Sequence, residues 1–514
     1  MRDEEIPMIS TTPVGPDWMG ELAIHYEQMR RAYPDDVLAI VFDIDGTILD
    51  MRYLMVHTLL SFDRANDTDY FRGLGIEDVN VHENRIEDFL VSRRLSAPVR
   101  ADIATWFAGH IWTPEAVLAG SRPYAGVLGV IRWFQLQSQT VVALNTGRPE
   151  PLRDLTLQSL NEVARAYRVS FDSEHLCMNP RGWGEEVTRG KVEGIKLLQE
   201  KGLRVVAVVD NEPANLAAMA AADSTGEMLF LHAETIFESQ RRHLPRSVTG
   251  RSYALAGLVR ENDIRDRVEF VWHGVNDEAN LRQFVSSDVR WAECDVRLDP
   301  LGRLVLRHDS FDETPWTRTE HAFLLEDCLR AIRRHDRAAA LDLKDPAAIE
   351  RTLQAVDASG LPDTDVAFMG CIDVIGVDGF RAIHERLPRA QIAVQVDFLA
   401  PLLTAAPSLA DQVLAELRQW GVTAVSLAWT TPHIRTLLDE LETRGWEVNV
   451  FGVADLESFL DASLLLPRAV IADFNFPDWH YYGRGSGQER AYHRYELIRD
   501  GQRNSPRKVE REMV

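Results

Sequence analysis

Short apolar runs that end in polar or acidic residues recur through the first half of the chain, with helical patterns between them. The runs cover residues 37–45, 140–147, 203–210 and 226–233. In the helical stretch 191–201, the apolar residues fall on one face. Continuous apolar strands that alternate with helices are typical of a parallel sheet covered on both faces. The pattern therefore predicts an α/β domain over residues 36–240.

Nearly a hundred residues separate the first two predicted strands, far more than a crossover helix needs. Their pattern is polar and helical, with aromatic residues such as Phe89, Trp106 and Trp112. We therefore expect an inserted helical cap over residues 51–122, and a helix over residues 123–134 that returns the chain to the sheet.

A second series of apolar runs fills most of the second half. Eight runs have the length and composition of strands: 268–275, 291–298, 338–344, 365–374, 391–398, 422–429, 446–453 and 469–476. Helical stretches separate them, and one of these, 324–332, carries its apolar residues on one face. Eight strand–helix units over residues 266–482 predict a (βα)8 barrel of the TIM type.

Charged, irregular stretches lie outside these two patterns. We interpret residues 241–265 as a linker, residues 1–35 as an N-terminal helical lead, and residues 483–514 as a charged, flexible tail.

Charge and cysteine usage narrow the function classes. The chain has 56 basic and 79 acidic residues and a net charge of −23, which is a poor background for binding nucleic acid or an anionic membrane. No apolar run reaches the roughly 18 residues of a membrane span. The N-terminus lacks the pattern of a secretory signal, and the four cysteines lack metal-binding spacing. We therefore expect a reduced, cytoplasmic setting without structural zinc.

Two acidic residues end the first predicted strand. Asp43 and Asp45 are two residues apart, so a strand places both carboxylates on one side, and Gly46 then permits a sharp turn. In an open α/β sheet, ligands bind at the carboxyl ends of the strands. Phosphoryl transfer can use such a pair, because one carboxylate can accept the group and the other can move protons. Mg²⁺ would offset the clustered negative charge.

The segment VFDIDGTILD, which contains this pair, resembles the first motif of the haloacid-dehalogenase (HAD) superfamily. The segments ALNTGRP, GKVEGIK and VVAVVDNEPANL resemble the next three motifs, in the same order, within residues 36–233. The resemblance implies a Rossmann-like HAD domain with Asp43 as the nucleophile and Asp45 as its acid/base partner. Asp45 favours a phosphatase, because a dehalogenase has no leaving oxygen to protonate.

The same resemblance assigns the other residues of this site. Thr146 and Gly147 are implied to bind the phosphoryl group. Lys191, with Lys196 as the alternative, is implied to contact the nucleophile and the phosphate. The implied Mg²⁺ ligands are Asp43, Asp45 and Asp210.

The fourth motif departs from the family pattern. Many family members have a second acid beside the implied metal ligand or four residues later, and here those positions are Asn211 and Ala214. Asn211 or Glu212 is therefore expected to act through a water molecule. The segment TGRPEPLRDLTLQSL resembles the polynucleotide 3′-phosphatase branch, although Arg148 and Arg153 are equally explained as helix-start and surface residues.

Polar residues also end three of the predicted barrel strands, on the face where barrels place their chemistry. These residues, with two from the following RLVLRHD segment, are His273, Glu293, Asp295, His308, Asp309, Asp342 and Lys344. Three carboxylates with two histidines and a lysine can hold one Mg²⁺ or Ca²⁺ and flank a phosphodiester with an acid and a base.

The elements WHGVND and ALDLKD resemble the glycerophosphodiester phosphodiesterase-like superfamily, in particular its menorin-like and sphingomyelinase D-like branches, over about residues 266–480. The resemblance implies His273 and His308 as the acid/base pair, Lys344 as a phosphate ligand and Asn276 as an orienting residue. The implied ligands of Mg²⁺ or Ca²⁺ are Glu293, Asp295 and Asp342.

This second resemblance has two departures. Gly274 stands where the phosphodiesterases usually have an arginine, and Phe451 stands where a tryptophan is common. Further residues at strand ends are expected to line the pocket (Asp397, Asp473 and Asn475) or to pack at its mouth (Trp479, His480 and Tyr481).

Three functional hypotheses follow. The first is a bifunctional enzyme, in which the barrel cleaves a small phosphodiester and the HAD domain removes phosphate from the monoester. The second is a single-activity phosphatase with a ligand-binding barrel, which Gly274 favours. The third is a polynucleotide end-processing phosphatase, and the net charge of −23 counts against it.

Overall fold

The computed structural model describes residues 17–181, 186–235, 247–316 and 321–476. The chain forms two compact units, which divide between Val259 and Arg260. Parallel strands and helices alternate in both units, which confirms the α/β class predicted from the sequence.

The first unit is built on a six-stranded parallel sheet. Its strands are β1 (Leu38–Phe42), β2 (Thr140–Pro149), β3 (Leu176–Asn179), β4 (Arg204–Asp210), β5 (Leu229–Ala233) and β6 (Ser247–Gly250). Their order is β3-β2-β1-β4-β5-β6, which is that of a doubly wound sheet whose order reverses between β1 and β4. All residues of β1 are buried, as expected for a strand covered on both faces.

The helices of the first unit include a group inserted between β1 and β2. The helices are α1 (Trp18–Ala32), α2 (Met51–Asn66), α3 (Ile86–Ser92), α4 (Ala97–His110), α5 (Pro114–Gly120), α6 (Val127–Gln135), α7 (Arg153–Ala164), α8 (Val187–Glu200), α9 (Pro213–Ala222) and α10 (Leu255–Leu258). Helices α2 to α5 lie within the predicted cap, and their apolar residues form a core cluster of their own around Phe71, Phe89 and Phe107.

The sequence pattern missed two strands of this sheet. β3 has only four residues, and β6 is a polar, half-buried strand. β6 pairs with β5, so this part of the interval interpreted as a linker belongs to the first sheet. In the interval predicted as an N-terminal lead, α1 is helical, and the indole of Trp18 donates to the carbonyl oxygen of Ser252.

The second unit contains a closed parallel barrel. Its strands are β7 (Glu269–Trp272), β8 (Trp291–Leu298), β9 (Leu304–Leu306), β10 (Ala338–Leu343), β11 (Val366–Gly370), β12 (Gln391–Gln395), β13 (Ala424–Ala428), β14 (Glu447–Phe451) and β15 (Ala469–Ala472). β9 is antiparallel to β8, the one strand of the barrel with which it pairs among the described residues. The other eight strands are parallel, and β15 pairs with β7 to close the ring. The predicted eight-stranded barrel is therefore confirmed.

One short helix precedes β7, and the other helices of this unit lie between successive barrel strands. In chain order the helices are α11 (Glu261–Ile264), α12 (Glu278–Ser286), α13 (Leu325–Arg334), α14 (Ile349–Ser359), α15 (Ile372–Arg386), α16 (Ala400–Ala405), α17 (Pro407–Gln419), α18 (Ile434–Thr443) and α19 (Leu456–Leu464). In α13 the apolar residues that share a face, among them Leu325 and Ile332, are buried, as their spacing predicts.

Several barrel strands end before their predicted limits. The predicted strand 365–374 is the clearest case, since β11 ends at Gly370 and α15 begins at Ile372. The polar residues of these runs leave the sheet and form the loops at the barrel mouth. The predicted tail lies outside the described residues, as do Trp479, His480 and Tyr481. Among the helices that the structure describes, none has the length and apolar character to cross a membrane.

Candidate functional sites

The candidate site of the first unit lies at the carboxyl ends of three adjacent strands. Asp43 directly follows β1, Thr146 lies in β2, and Asp210 ends β4. β1 pairs with both β2 and β4, so these residues come together where the strand order reverses. Ligands of open α/β sheets bind at this point.

Lys191 joins two of these strand ends. It lies in the second turn of α8, and its side chain is only 2% exposed. Its Nζ is 2.6 Å from Asp43 Oδ1 and 2.7 Å from Asp210 Oδ2, and it also donates to the carbonyl oxygen of Asn145. The alternative, Lys196, is exposed on the same helix, so the structure places Lys191 in the site.

Two buried carboxylates share this one ammonium group. The pKa of Asp43 is raised to about 8. Burial is the largest cause of this rise, Lys191 opposes it, and the charge of Asp210 adds to it. Burial alone lowers the pKa of Lys191, but Asp210 and Asp43 outweigh this effect and raise it. The site is short of positive charge and rich in hard oxygen donors, and this combination fits a Mg²⁺ ion.

Asp45 is held by an arginine. Arg148 Nε is 2.8 Å from Asp45 Oδ2, and Arg148 Nη2 is 2.7 Å from Asp45 Oδ1. The guanidinium also donates to Thr156 Oγ1 at 3.2 Å and lies 5.0 Å from the ring centroid of Trp112 in the cap. The Arg148 side chain is 2% exposed, so its interpretation as a surface residue is wrong.

The phosphate-binding residues expected from the second motif lie beside this arginine. Thr146 is buried, and its Oγ1 accepts the backbone N–H of Arg148 at 3.2 Å. Gly147 follows it in β2. Arg153, by contrast, pairs with the half-exposed Glu150 at 2.6 Å, as expected for a residue near the surface.

The three implied Mg²⁺ ligands do not converge through their side chains, because the carboxylate of Asp45 is turned to Arg148. With its amide oriented to donate, Asn211 lies 3.2 Å from both Asp43 Oδ2 and the carbonyl oxygen of Asp45. These two oxygens therefore face the same point. Asp210 Oδ1 accepts the backbone N–H of Glu212 at 2.8 Å.

The cap adds two residues that no sequence motif indicated. His82 and Glu83 lie at a short 3-10 turn between α2 and α3. The Glu83 side chain is 15% exposed, and its Oε2 lies 3.1 Å from His82 Nδ1. Burial raises the pKa of Glu83 to about 8, and the charge of Asp45 adds to this rise while Arg148 opposes it. The charge of Asp45 therefore acts on a carboxyl group of the cap.

Three carboxyl groups converge in the barrel of the second unit. Glu293 and Asp295 alternate on β8, and Asp342 lies opposite Asp295 on β10. One oxygen from each lies within 4.8 Å of the others, the one such grouping of metal-binding side chains among the described residues. Cys294 points the other way and lies 3.8 Å from Cys328 on α13, as strand alternation predicts.

This cluster has the chemistry of a cation site. Asp295 is buried, and its Oδ1 lies 3.1 Å from the ammonium of Lys344. Burial raises the pKa of Glu293 to about 8, and the charges of Asp295 and Asp342 add to this rise. Three buried oxygen donors that repel one another fit Mg²⁺ or Ca²⁺.

His273 lies where the barrel closes. It follows β7 and its backbone N–H donates to Ala472 at the end of β15. Its Nδ1 is 2.7 Å from Asp473 Oδ1, and its Nε2 is 3.8 Å from Glu293 Oε2. Burial lowers the pKa of His273, but Asp473 and Glu293 outweigh burial and raise it to about 9.

Gly274 follows in a left-handed conformation, with a φ of 67°, and its N–H donates to Glu293 Oε2 at 2.7 Å. An arginine at this position would strain the backbone. A glycine at position 274 therefore suits the backbone conformation found here.

The remaining predicted residues surround the carboxyl cluster. Lys344 Nζ is 2.5 Å from Asp342 Oδ2 and 3.1 Å from Asp295 Oδ1. Asn276 donates to Asp295 Oδ2 at 2.6 Å. His308 follows β9, is about one-third exposed, and its Nδ1 lies 3.0 Å from Asp309 Oδ1.

The residues expected to line the barrel pocket divide into two kinds. Asp473 contacts His273 directly, so it belongs to the site. Asp397 accepts hydrogen bonds from the N–H of Ala428 and the hydroxyl of Thr431, which gives it a structural partner in the next strand–helix unit. Phe451 packs against the cluster of buried apolar residues in the barrel.

Comparisons with known proteins give likenesses of low similarity. No protein-family model matches the chain, and no curated protein matches it. Among solved structures, an Oleispira antarctica phosphodiesterase in complex with sn-glycerol-3-phosphate is 15% identical, with a TM-score of 0.33 over 40% of this chain and 94% of that one. A glycerophosphodiester phosphodiesterase from Agrobacterium tumefaciens is 17% identical, with a TM-score of 0.26 over 40% of this chain and 96% of that one.

A HAD-superfamily hydrolase of subfamily IA from Geobacter sulfurreducens is 13% identical, with a TM-score of 0.29 over 42% of this chain and 93% of that one. The structural neighbours thus include both phosphodiesterases and HAD hydrolases. At this level of similarity they transfer no function to this chain.

Proposed function

We propose that the first unit is a Mg²⁺-dependent phosphatase that acts on phosphoric monoesters through an aspartyl-phosphate on Asp43. The observation that carries this proposal is the contact of one buried ammonium, Lys191 Nζ, with Asp43 Oδ1 at 2.6 Å and Asp210 Oδ2 at 2.7 Å. A buried cation between two strand-end carboxylates is suited to hold a nucleophile and a phosphoryl group together.

Asp43, Asp210 and the carbonyl oxygen of Asp45 would hold the Mg²⁺ ion, whose charge would offset that of the phosphoryl group. An oxygen of Asp43 attacks phosphorus, and the bond to the leaving oxygen breaks as Asp45 donates its proton to that oxygen. Asp45 then accepts a proton from water as the water oxygen attacks phosphorus. The bond between phosphorus and Asp43 breaks, which restores the carboxylate and releases phosphate.

Asp43→Asn tests this assignment. The amide keeps the shape of the side chain but cannot attack phosphorus, so phosphate release from p-nitrophenyl phosphate should be lost. Asp154→Asn, on the exposed side of α7, is the matched control and should keep wild-type turnover. Wild-type turnover by Asp43→Asn would rule out the assignment.

The second unit is proposed to be a metal-dependent phosphodiesterase, which would make the protein bifunctional. The supporting observation is the convergence of Glu293, Asp295 and Asp342 beside His273, at the carboxyl ends of the barrel strands. These carboxylates would hold Mg²⁺ or Ca²⁺. His273 and His308 would exchange protons with the attacking and leaving oxygens, and Lys344 would bind the phosphate.

The alternative to this second activity is a barrel that only binds its ligand. Phosphate-release assays on mono- and diesters, with Mg²⁺ and with Ca²⁺, separate the two. Diester cleavage by the wild type that is lost in His273→Ala supports the phosphodiesterase. If the wild type cleaves no diester, the ligand-binding barrel is the better description.

A further inference from the structure

The guanidinium of Arg148, which holds Asp45, is bound at its edges by hydrogen bonds and on one face by a ring from the cap. Its Nε and Nη2 donate to the two carboxylate oxygens of Asp45 at 2.8 and 2.7 Å, and its Nη1 donates to Thr156 Oγ1 at 3.2 Å. The N–H groups of a guanidinium lie in its plane, so these bonds leave its faces without a polar partner. Trp112 covers a face, with Arg148 Cζ 5.0 Å from the centroid of its ring.

The cap fixes Trp112 on both sides of the short connection between α4 and α5. Ile111, directly before it, is buried in the cap core, and its backbone N–H donates to the carbonyl oxygen of Phe107 at 3.0 Å. Thr113, directly after it, caps α5, since its hydroxyl oxygen accepts the N–H of Ala116 at 3.3 Å. The half-buried side chain of Trp112 packs against the same apolar core. The position of the ring therefore follows that of the cap.

The contact with Trp112 restricts a motion that the hydrogen bonds alone permit. Both carboxylate oxygens of Asp45 accept from Arg148, so the two groups can tilt together without losing their bonds. A ring against the face of the guanidinium opposes this tilt. The attraction between a cation and an aromatic ring is strongest where water is excluded, and the Arg148 side chain is only 2% exposed.

We propose that Trp112 is a positioning residue for the acid/base step, because by covering one face of Arg148 it fixes the orientation of Asp45 toward the leaving oxygen. The inference rests on the phosphatase function proposed for the first unit. Trp112 takes no part in bond making or in proton transfer. It makes proton transfer by Asp45 depend on a side chain of the cap.

The test compares kcat/KM for two substrates of the full-length chain with Mg²⁺. Propyl phosphate has a leaving oxygen that needs a proton, whereas the leaving group of p-nitrophenyl phosphate departs without one. The ratio of the two values reports the transfer to Asp43, because the later water step is common to both substrates. In Trp112→Leu, kcat/KM for propyl phosphate should fall on the order of tenfold relative to that for p-nitrophenyl phosphate, the range of a buried cation–π contact.

Two further variants and an inhibitor separate positioning from other roles. Trp112→Phe keeps an aromatic face and should stay within about twofold of the wild-type ratio. Trp106→Leu is the matched control, since it removes another half-buried ring of the cap, which stacks on His110 at 3.6 Å between ring centroids. It should lower kcat/KM equally for both substrates or leave both unchanged. Butylphosphonate, in which a methylene group replaces the bridging oxygen of propyl phosphate, should inhibit Trp112→Leu as strongly as the wild type.

An unchanged ratio in Trp112→Leu would overturn the inference, as would a Trp112→Phe variant that behaves like Trp112→Leu. Weaker inhibition by butylphosphonate that accounts for the whole loss would assign Trp112 to substrate binding and overturn it as well. If circular dichroism shows that Trp112→Leu does not fold, Trp112→Met, whose flexible side chain fills gaps, carries the same expectation. In each case hydrolysis of p-nitrophenyl phosphate by the wild type shows that the phosphatase function itself stands. If the wild type releases phosphate from neither substrate, the proposed function is wrong and the inference falls with it.

Discussion

Replacing Arg148 with methionine should both destabilise the first unit and impair proton transfer by Asp45, the proposed acid/base residue. Arg148 is a buried side chain whose guanidinium makes two hydrogen bonds to Asp45, one to Thr156 and a stacking contact with Trp112. Methionine keeps much of the volume but none of the donors. The carboxylate of Asp45 would then lie in the site without its cation.

The magnitude follows from the burial of the two partners. Removal of one partner from a buried ion pair typically costs about 3–5 kcal/mol. The Arg148 side chain is 2% exposed and that of Asp45 is 18% exposed, so water can partly solvate the carboxylate that remains. We therefore expect the lower end of this range, about 3 kcal/mol in the free energy of unfolding of the first unit.

Urea unfolding of the full chain, followed by tryptophan fluorescence and fitted with separate transitions for the two units, measures this change. A double-mutant cycle with Asp45→Asn isolates the pair, and the two losses should fall short of additivity by about 2 kcal/mol. Arg31→Met is the control, because this residue is 75% exposed in its pair with Glu27 and should cost at most about 0.5 kcal/mol.

The same variants distinguish an effect on the position of Asp45 from an effect on the stability of the first unit. Arg148→Met should slow the hydrolysis of alkyl phosphates, whose leaving oxygen needs a proton, far more than that of p-nitrophenyl phosphate. A loss below about 1 kcal/mol with additive effects, or an equal slowing of both substrates, would refute the role given to this ion pair.

Three further predictions concern cations, acid and the barrel. Chelation with EDTA should silence both activities, and Mg²⁺ should restore phosphate release from monoesters, whereas full activity after exhaustive chelation would contradict the cation sites. Although burial raises the pKa of Asp299, its hydrogen bonds from the N–H groups of Arg303 and Leu301 and from the Arg303 guanidinium hold the folded-state pKa below the ordinary 3.8. The stabilisation by Asp299 is therefore complete above about pH 4 and is lost as the pH falls through the folded-state pKa. Asp299→Asn should lower the free energy of unfolding by roughly 1–2 kcal/mol at pH 7 and by less in acid. A loss of stability that does not change with pH would contradict this prediction. Finally, His273→Ala should reduce diester cleavage about 10²–10⁴-fold without changing monoester hydrolysis, and a parallel loss of both would show that the two sites are not independent.

The sequence predicted the parts of the fold that repeat. Eight apolar runs with helices between them were sufficient for the barrel, because each strand of a closed parallel barrel is buried on both sides. β3, β6 and β9 have no such signal in the sequence, since they are short or polar and owe their pairing to neighbouring strands. Register and strand ends depend on contacts that a linear pattern does not contain.

Some residues of the candidate sites could likewise be predicted from the sequence, and others could not. Asp43, Asp210 and Lys191 were identified from motifs, and the structure brings them within hydrogen-bond distance. The position of Glu83 had no signal in the sequence, because the cap reaches the site from a different part of the chain. Arg148 was visible in its motif, but only its burial against Asp45 separates it from a surface residue.

The central claim is that phosphate is carried by Asp43, and trapping that intermediate tests it most directly. In an Asp45→Asn variant, p-nitrophenyl phosphate has a leaving group good enough to depart without a proton, while the water step lacks its base. We expect the peptide containing Asp43 to gain the mass of one phosphoryl group after a rapid acid quench, and the same peptide of Asp43→Asn/Asp45→Asn to gain none. A wild-type enzyme that turns over, with no phosphoryl group on Asp43 in the Asp45→Asn variant, would contradict the claim.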